Sequence, residues 1–294
     1  MQLLSIAGVR LRLNPLFLVV LLVFIFLGLF YQSLVVLAMV LIHEAAHLLF
    51  AHTHGMRIRE VELLPFGGVV RMGTELELNP VVEFRVALVG PLVSLVLAGF
   101  FGGLFQHGGP YREVYSFLFQ VNLTLGLFNL LPALPLDGGR MLRAHLKSKM
   151  GFYQASSLVA LLTRIIALLM VAVTLYGLYL GRGNITLLMV AFFVYYTASV
   201  EHRELPTLLL QYLLRQGKNF KERGYARAAV LVAWEDLSLN EVLQLFIPQK
   251  YHLVLVIDQE QRLKGLLLEV QIVEHLLEGR DHTITLGGLL ERVS

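Results

Sequence analysis

The stretch Leu37-Ala-Met-Val-Leu-Ile-His43-Glu44-Ala-Ala-His47-Leu-Leu-Phe50 is an apolar run that carries three ionisable residues in its middle. Its flanks are almost wholly apolar, which predicts a membrane-spanning helix. His43 and His47 are four residues apart, so on a helix their imidazoles lie on the same face. Imidazoles at this spacing can both reach one Zn²⁺, and Glu44 lies beside them, where it can take a proton from water. The pattern predicts a zinc-hydrolase centre at membrane depth.

The composition also indicates a membrane protein. Of the 294 residues, 56% are hydrophobic and 15% are charged, against about 45–50% and about 25% in soluble domains. The apolar excess lies in the first two hundred residues, so we expect a polytopic membrane protein with a more polar tail. The absence of cysteine excludes disulfides and thiolate metal sites, and any transition-metal site must use histidine and carboxylate. The net charge of +3 is interpreted as basic cytoplasmic loops rather than nucleic-acid binding.

The apolar runs predict six transmembrane helices. The first follows Arg10 and Arg12 and resembles a signal peptide, but no small-residue cleavage site follows it, so we interpret it as a retained anchor that begins near Leu11. The short polar break 31–33 would join it to the second helix. The six predicted spans are residues 15–30, 33–50, 82–105, 114–131, 158–180 and 185–200.

Basic residues in the predicted loops set the orientation. With the N-terminus inside, the inner loops contain ten Lys and Arg residues and the outer loops contain two, Arg112 and Arg182. This bias places both termini in the cytoplasm. It also places His47, late in the second span, and Asp137, at the end of the fourth, toward the same side of the membrane.

Residues 57–72 change character between the second and third spans. Residues 57–63 alternate polar and apolar side chains, and Gly67-Gly68 suggests a turn between two strands. We predict a membrane-associated β-hairpin here. Two interpretations remain open: the hairpin offers a sheet edge to an extended peptide, or it is an ordinary amphipathic surface hairpin.

A catalytic zinc site needs a third protein ligand. His52 and His54 lie near the helix end and are expected to point elsewhere, and Glu60 and Glu62 fall in the charged loop. Asp137 is the only Asp among residues 1–200. It follows two prolines and precedes two glycines, a pattern for which we expect non-helical backbone. We predict Asp137 as the third ligand; the alternative is a satisfied buried network of histidines and glutamate.

The polar tail predicts a second domain. We place a six-helix membrane domain at residues 1–200, a linker helix at 201–221 and a small α/β module at 222–294. The expected elements of the module are a strand at 226–232, a helix that Ser238 caps, a strand at 251–257, a turn, a strand at 263–269 and a helix at 270–277.

These residues resemble the site-2 protease family of intramembrane zinc metalloproteases. The likeness rests on His43-Glu44-Ala-Ala-His47 in the second span and on Asn129-Leu-Leu-Pro-Ala-Leu-Pro-Leu-Asp137-Gly-Gly in the fourth. The stretch 64–68 and Gly90-Pro91 are also similar to that family. Six spans followed by a module that resembles a single cystathionine-β-synthase (CBS) repeat are similar to the branch typified by stage IV sporulation protein FB.

The resemblance implies a function and partners. The expected substrate is a membrane-associated pro-sigma factor, pro-sigma-K, in the outer forespore membrane of an endospore-forming bacterium. Inhibitory membrane proteins are expected as partners, and the CBS-like module is expected to sense nucleotide. However, Leu268 and Gln271 stand where CBS repeats carry the Thr and Asp that contact nucleotide. ATP binding, substrate binding and homo-oligomerisation by the module therefore stand as alternatives.

We expect one Zn²⁺ per chain and Glu44 as general base. Asn129 is a candidate hydrogen-bond donor to substrate backbone or an interhelical polar contact. Further candidate substrate-binding residues are Pro135, Phe66 and Gly67. The alternative function is a non-proteolytic membrane metal transporter or sensor that uses the same two histidines and aspartate.

Overall fold

The computed structural model describes residues 2–6, 9–13, 26, 28–54, 58–64, 67–72, 79–182, 186–200, 213–214, 217, 220, 224–247, 250–277 and 284–293. The chain forms two compact units. The first comprises residues 1–77 and 81–142, and the second comprises residues 78–80 and 143–294.

Six helices of different length and polarity lie between residues 30 and 200 of the described chain. Their bounds are α1 Phe30–Thr53, α2 Pro80–Gln106, α3 Arg112–Asn129, α4 Asp137–Met150, α5 Phe152–Tyr179 and α6 Thr186–Val200. Among the described residues, three helices are long and apolar enough to cross a membrane: α1, α2 and α5. The prediction of six spans is therefore confirmed for three of them. The predicted fourth and sixth spans are helical, as α3 and the shorter α6, and most of the predicted first span lies outside the described residues.

The predicted break at residues 31–33 is wrong. All three residues lie in the first turn of α1, and Gly28 before them adopts a left-handed backbone with φ 73°. Glycine has no Cβ and accepts this conformation without steric cost. The Ser33 side chain donates a hydrogen bond to the Leu29 carbonyl at 2.6 Å, so this polar residue is accommodated at the helix start.

A four-stranded sheet flanks α1 in sequence. Its strands are β1 Gln2–Ile6, β2 Val9–Leu13, β3 Ile58–Leu64 and β4 Gly67–Met72, in the spatial order β1-β2-β3-β4. The predicted hairpin is confirmed as β3 and β4, which pair antiparallel. The predicted start of a membrane span near Leu11 is wrong, because Val9–Leu13 is a strand that pairs in parallel with β3. Arg10 and Arg12 thus belong to the sheet.

The second unit contains a small α/β module. Its elements are β5 Ala228–Trp234, α7 Leu239–Gln244, β6 Tyr251–Ile257, β7 Leu263–Leu268, α8 Glu269–Leu277 and α9 Leu286–Val293. The predicted βαββα order is observed, followed by α9. Strand β6 lies between β5, to which it is parallel, and β7, to which it is antiparallel.

One hydrophobic core joins the module to the start of α5 within this unit. Phe152 is buried together with Phe246, Leu267 and Ile272, residues from the loop, strand and helix of the module. Leu213, one of the few described residues of the predicted linker helix, is buried in the same core. The assignment of residues 222–294 as a CBS-like domain stays a prediction.

Candidate functional site

Helix α1 brings two histidines together at its buried face. His43 and His47 are 2% and 5% exposed, whereas most of the apolar side chains around them on α1 are partly or fully exposed. Their rings meet edge to face with centroids 4.9 Å apart, and their Nε2 atoms lie 3.2 Å apart. This is the same-face arrangement expected from a spacing of four residues.

Asp137 completes the group from ninety residues further along the chain. Its Oδ2 atom lies 3.1 Å from Nε2 of His43 and 3.1 Å from Nε2 of His47, and the residue is 7% exposed. The predicted convergence of the two histidines and the aspartate is therefore observed. Among the described residues, these three are the group of His, Cys, Asp and Glu side chains placed to hold a metal ion.

The spacing of the three atoms fits a transition metal. Zinc bonds nitrogen and oxygen at about 2.0–2.1 Å, so neighbouring ligands of a tetrahedral ion lie about 3.3 Å apart. The observed separations of 3.1 and 3.2 Å are close to that value. Two imidazoles and one carboxylate are also a donor set that zinc accepts, with one position left for water or substrate.

Helix α2 contacts both imidazoles at their Nδ1 atoms, whereas their Nε2 atoms face Asp137. Nδ1 of His47 lies 2.7 Å from the Val86 carbonyl oxygen, and Nδ1 of His43 lies 2.9 Å from the Ser94 hydroxyl. A carbonyl oxygen only accepts hydrogen bonds, so His47 carries a proton on Nδ1, and in the neutral ring Nε2 then has a lone pair that faces Asp137. Contacts of this kind fix the ring orientation of metal-binding histidines.

Gly90 lies on α2 between Val86 and Ser94, where the helix backbone comes close to both imidazoles. A Cβ atom at this position would lie 2.1 Å from Nε2 of His47 and 2.7 Å from Nε2 of His43. Only glycine lets the α2 backbone approach the imidazoles this closely. Pro91 follows within the same helix.

The loop before Asp137 is irregular, as predicted, but the aspartate itself is helical. No helix or strand runs through residues 130–136, and the Leu134–Pro135 peptide bond is cis. The expectation that Asp137-Gly-Gly lies outside a helix is wrong, because these residues form the first turn of α4. A helix N-terminus favours an acidic residue. Cβ atoms at Gly138 and Gly139 would lie within 2.5 Å of the Leu130 and Ala133 main chain, so the glycines allow loop and helix to pack closely.

Glu44, the predicted base, follows His43 on α1 and is partly buried. It is thus next to the group in sequence and reachable by solvent. Its side chain has interactions of its own within the structure.

The candidate substrate-binding residues have different environments. Asn129 ends α3 and donates a hydrogen bond from Nδ2 to the Leu125 carbonyl of its own helix at 2.9 Å. Pro135 is partly buried in the loop that precedes Asp137. Gly67 begins strand β4, and Phe66 lies outside the described residues.

Sequence reasoning did not assign three groups of this site: the Ser94 hydroxyl, the Val86 carbonyl and the bare Cα of Gly90. A serine and a glycine near a proline in an apolar helix are typical of ordinary membrane-helix packing. A spacing signal was nevertheless present, because Gly90 and Ser94 are four residues apart and share one face of α2.

Comparison with known proteins gives the same answer as the geometry. The sequence profile of Peptidase family M50 matches residues 31–110 and 102–173, which include all three members of the His-His-Asp group. Zinc metalloprotease MJ0392 of Methanocaldococcus jannaschii is 32% identical over 265 residues, which are 85% of this chain and 73% of that protein. Stage IV sporulation protein FB of Bacillus subtilis is 34% identical over 125 residues, 42% of this chain and 43% of that protein.

A solved structure shares the fold as well. The site-2 protease from Methanocaldococcus jannaschii superposes with a TM-score of 0.56 at 33% sequence identity, covering 69% of this chain and 94% of that one. The matched profile, the identity to MJ0392 and this superposition agree. The chain therefore belongs to peptidase family M50, the site-2 protease family of zinc metalloproteases, and is a metalloendopeptidase.

Proposed function

We propose that this protein cleaves a membrane-associated protein at a single zinc site held by His43, His47 and Asp137, with Glu44 as general base. The observation that carries the proposal is the convergence of two imidazole Nε2 atoms and one carboxylate oxygen within 3.2 Å of one another. All three side chains are buried, and two of them lie on a helix that can cross a membrane. The hydrolysis would thus occur at membrane depth.

The metal-binding residues and Glu44 would have different roles in the hydrolysis of a peptide bond. A zinc ion in this site would act as a Lewis acid toward a peptide carbonyl and make a water molecule more acidic. Glu44, one residue after His43 and partly exposed, takes the proton from the attacking water and later gives it to the departing amine. Because His43, His47 and Asp137 are almost fully buried, bulk water is largely excluded and charge interactions inside the site are strong.

The substrate segment would bind in extended form along the sheet. Strand β4 lies at an end of the four described strands and contacts α1, the helix that carries the two histidines. An edge strand can pair with an extended peptide through main-chain hydrogen bonds. This supports the hairpin as a substrate platform, with Gly67 and Phe66 as candidate contacts. Asn129, at the end of α3, and Pro135, within the loop before Asp137, are candidate contacts on the other chain segment.

We further propose a pro-sigma factor such as pro-sigma-K as substrate, inhibitory membrane proteins as regulators, cytoplasmic termini and the outer forespore membrane as location. The identity to stage IV sporulation protein FB over 125 residues supports this assignment. It covers 42% of the chain, so the sporulation role rests on less of the sequence than the peptidase activity does.

Among the alternatives for the CBS-like module, the outer face of its sheet favours homo-oligomerisation over ATP binding. The large apolar side chains Val230, Val232, Trp234 and Leu266 are exposed there. At the position of the expected nucleotide contacts, the Gln271 side chain instead accepts a hydrogen bond from the Leu268 amide at 2.8 Å. Burying an apolar sheet face against a second copy would remove this surface from water.

A cleavage assay with the Glu44→Gln variant tests the proposed function. The full chain is co-expressed with a candidate pro-sigma factor, and the rate of product formation and the zinc content are measured. Because Gln cannot accept the proton, we expect cleavage to fall by about 10²–10⁴-fold with zinc content unchanged. Glu113→Gln, an exposed residue in the first turn of α3, is the matched control and should cleave normally. Wild-type cleavage by Glu44→Gln would contradict the protease mechanism and favour the metal transporter or sensor.

A further inference from the structure

The His43 ring is held by one side chain outside the candidate metal group. Nδ1 of His43 lies 2.9 Å from Oγ of Ser94 on helix α2, and Ser94 is 1% exposed. On its other side, Nε2 of His43 faces Oδ2 of Asp137 at 3.1 Å and Nε2 of His47 at 3.2 Å. Both ring nitrogens therefore have polar neighbours whose side chains are buried.

The two nitrogens of a neutral imidazole have different roles. One carries the proton and donates a hydrogen bond, and the other offers a lone pair. His43 can present its Nε2 lone pair toward Asp137 and His47 only if its proton is on Nδ1. The Ser94 hydroxyl is the group placed to accept a hydrogen bond from that proton.

The two histidines differ in what holds them. His47 donates from Nδ1 to the main-chain carbonyl of Val86, an acceptor that no side-chain substitution removes. His43 instead faces a side-chain hydroxyl, so the group at its Nδ1 atom depends on which residue occupies position 94. Ser94 itself is nearly fully buried.

We propose that Ser94 is a positioning residue that fixes the tautomer and ring orientation of His43 for metal binding, a role that rests on the proposed zinc site. Removing its hydroxyl leaves the Nδ1 proton without its acceptor in a buried place, which is costly. The ring can then move its proton to Nε2 or rotate, and either change takes the lone pair away from the metal. Loss of an outer hydrogen bond to a metal-binding histidine typically lowers metal affinity by about 10–100-fold.

The test compares side chains of equal shape at position 94. Threonine and valine differ only in a hydroxyl against a methyl group, so Ser94→Thr and Ser94→Val crowd the site equally. The full chain is purified in detergent, zinc affinity is measured by competition with a chelator, and the visible spectrum of the cobalt-substituted protein reports ligand geometry. Ser94→Ala is measured beside them. Ser156→Ala is the control, because Ser156 is a buried serine on α5 whose hydroxyl has no hydrogen-bond partner among the described residues.

The proposal predicts that Ser94→Ala and Ser94→Val each lose about 10–100-fold in zinc affinity and change the cobalt spectrum. Ser94→Thr should keep the wild-type spectrum and bind zinc more tightly than Ser94→Val, and Ser156→Ala should match wild type. Equal zinc affinity and equal spectra for the Thr and Val variants would overturn the role of Ser94. Absence of stoichiometric zinc from the wild-type protein would instead overturn the proposed metal site itself.

Discussion

Two buried groups of histidine and carboxylate in the described part of the chain differ in how their hydrogen bonds are satisfied. In the C-terminal module, Nδ1 of His252 lies 2.8 Å from Oε2 of Glu269, and Nε2 accepts a hydrogen bond from the Ile247 amide at 2.9 Å. Each ring nitrogen thus has a complementary partner. The backbone amide of His252 donates to the same carboxylate oxygen at 2.8 Å. This group is complete as it stands.

The group at His43, His47 and Asp137 is not complete in the same way. Both Nδ1 atoms contact groups on α2, so in neutral rings that carry their protons on Nδ1 the lone pairs of two Nε2 atoms and a carboxylate oxygen would face one another. Lone pairs at about 3 Å repel unless a cation or protons lie between them. Burial of histidine beside carboxylate therefore does not by itself identify a metal site, whereas three potential ligand atoms that converge on one point indicate one.

The largest effect on zinc affinity is expected when the space beside the imidazoles is filled. Gly90→Ala places a methyl group 2.1 Å from Nε2 of His47, so the ring must move. We expect zinc affinity to fall by at least about a hundredfold, more than loss of an outer hydrogen bond causes. Gly99→Ala on the same helix is the control, because its Cβ would meet nothing within 4 Å. Competition with a chelator on the purified proteins measures the zinc affinity of both variants. A Gly90→Ala variant that binds zinc normally would show that the space beside Gly90 is not part of the metal site.

Substitutions in the group of His252 and Glu269 should lower the stability of the module and leave zinc binding unchanged. His252→Ala removes the imidazole donor from a buried carboxylate, which typically costs about 3–5 kcal/mol in the free energy of unfolding. Trp234, the single tryptophan of the chain, lies on β5 and reports unfolding of the module by fluorescence. Zinc content should not change.

Glu269→Gln is the companion to His252→Ala, because glutamine keeps an acceptor oxygen for the same donors. It should destabilise less. A loss of zinc in either variant, or a larger effect of Glu269→Gln, would mean that His252 and Glu269 are not a self-contained structural group.

The smallest expected change in stability concerns an exposed carboxylate, that of Glu241. Ser238 caps α7, and its main-chain amide and hydroxyl both donate to Glu241. These hydrogen bonds lower the pKa of Glu241, with the side-chain bond as the larger cause. Because the folded-state pKa is lowered, the stabilisation is present near neutral pH and is lost as the pH falls through that pKa.

Ser238→Ala removes the N-cap of α7 and should destabilise the module by about 1 kcal/mol at neutral pH. The difference from wild type should shrink in acid, where Glu241 is protonated. Urea unfolding followed by Trp234 fluorescence at several pH values measures it. A destabilisation that grows as the pH falls would contradict the assigned hydrogen bonds.

Local patterns predicted the elements and the main members of the site. The spacing of His43 and His47 placed them on one helix face, and the need for a third ligand pointed to Asp137. In the module, the strand predicted at 251–257 and the helix that Ser238 caps are both present in the structure. These features depend on neighbours in sequence or on the chemistry of one residue type.

Features that depend on packing between distant segments were not predicted. Strand β2 pairs in parallel with β3, a distant segment of the chain, whereas the sequence alone predicts that a membrane span begins near Leu11, within this strand. Ser94 and Gly90 gain their roles only because α2 lies against the imidazoles of α1. His252 lies on the buried side of β6 with Val254 and Val256, a position normally apolar, and its partner follows β7.

The zinc content per chain tests the central claim most directly. We predict about one zinc per chain in the wild type and in Glu44→Gln, since the base is not a ligand. His43→Ala, His47→Ala and Asp137→Ala should each lose the metal under the same purification, as judged by elemental analysis of folded protein. Retention of stoichiometric zinc by Asp137→Ala, or its loss from Glu44→Gln, would contradict the assigned ligand set.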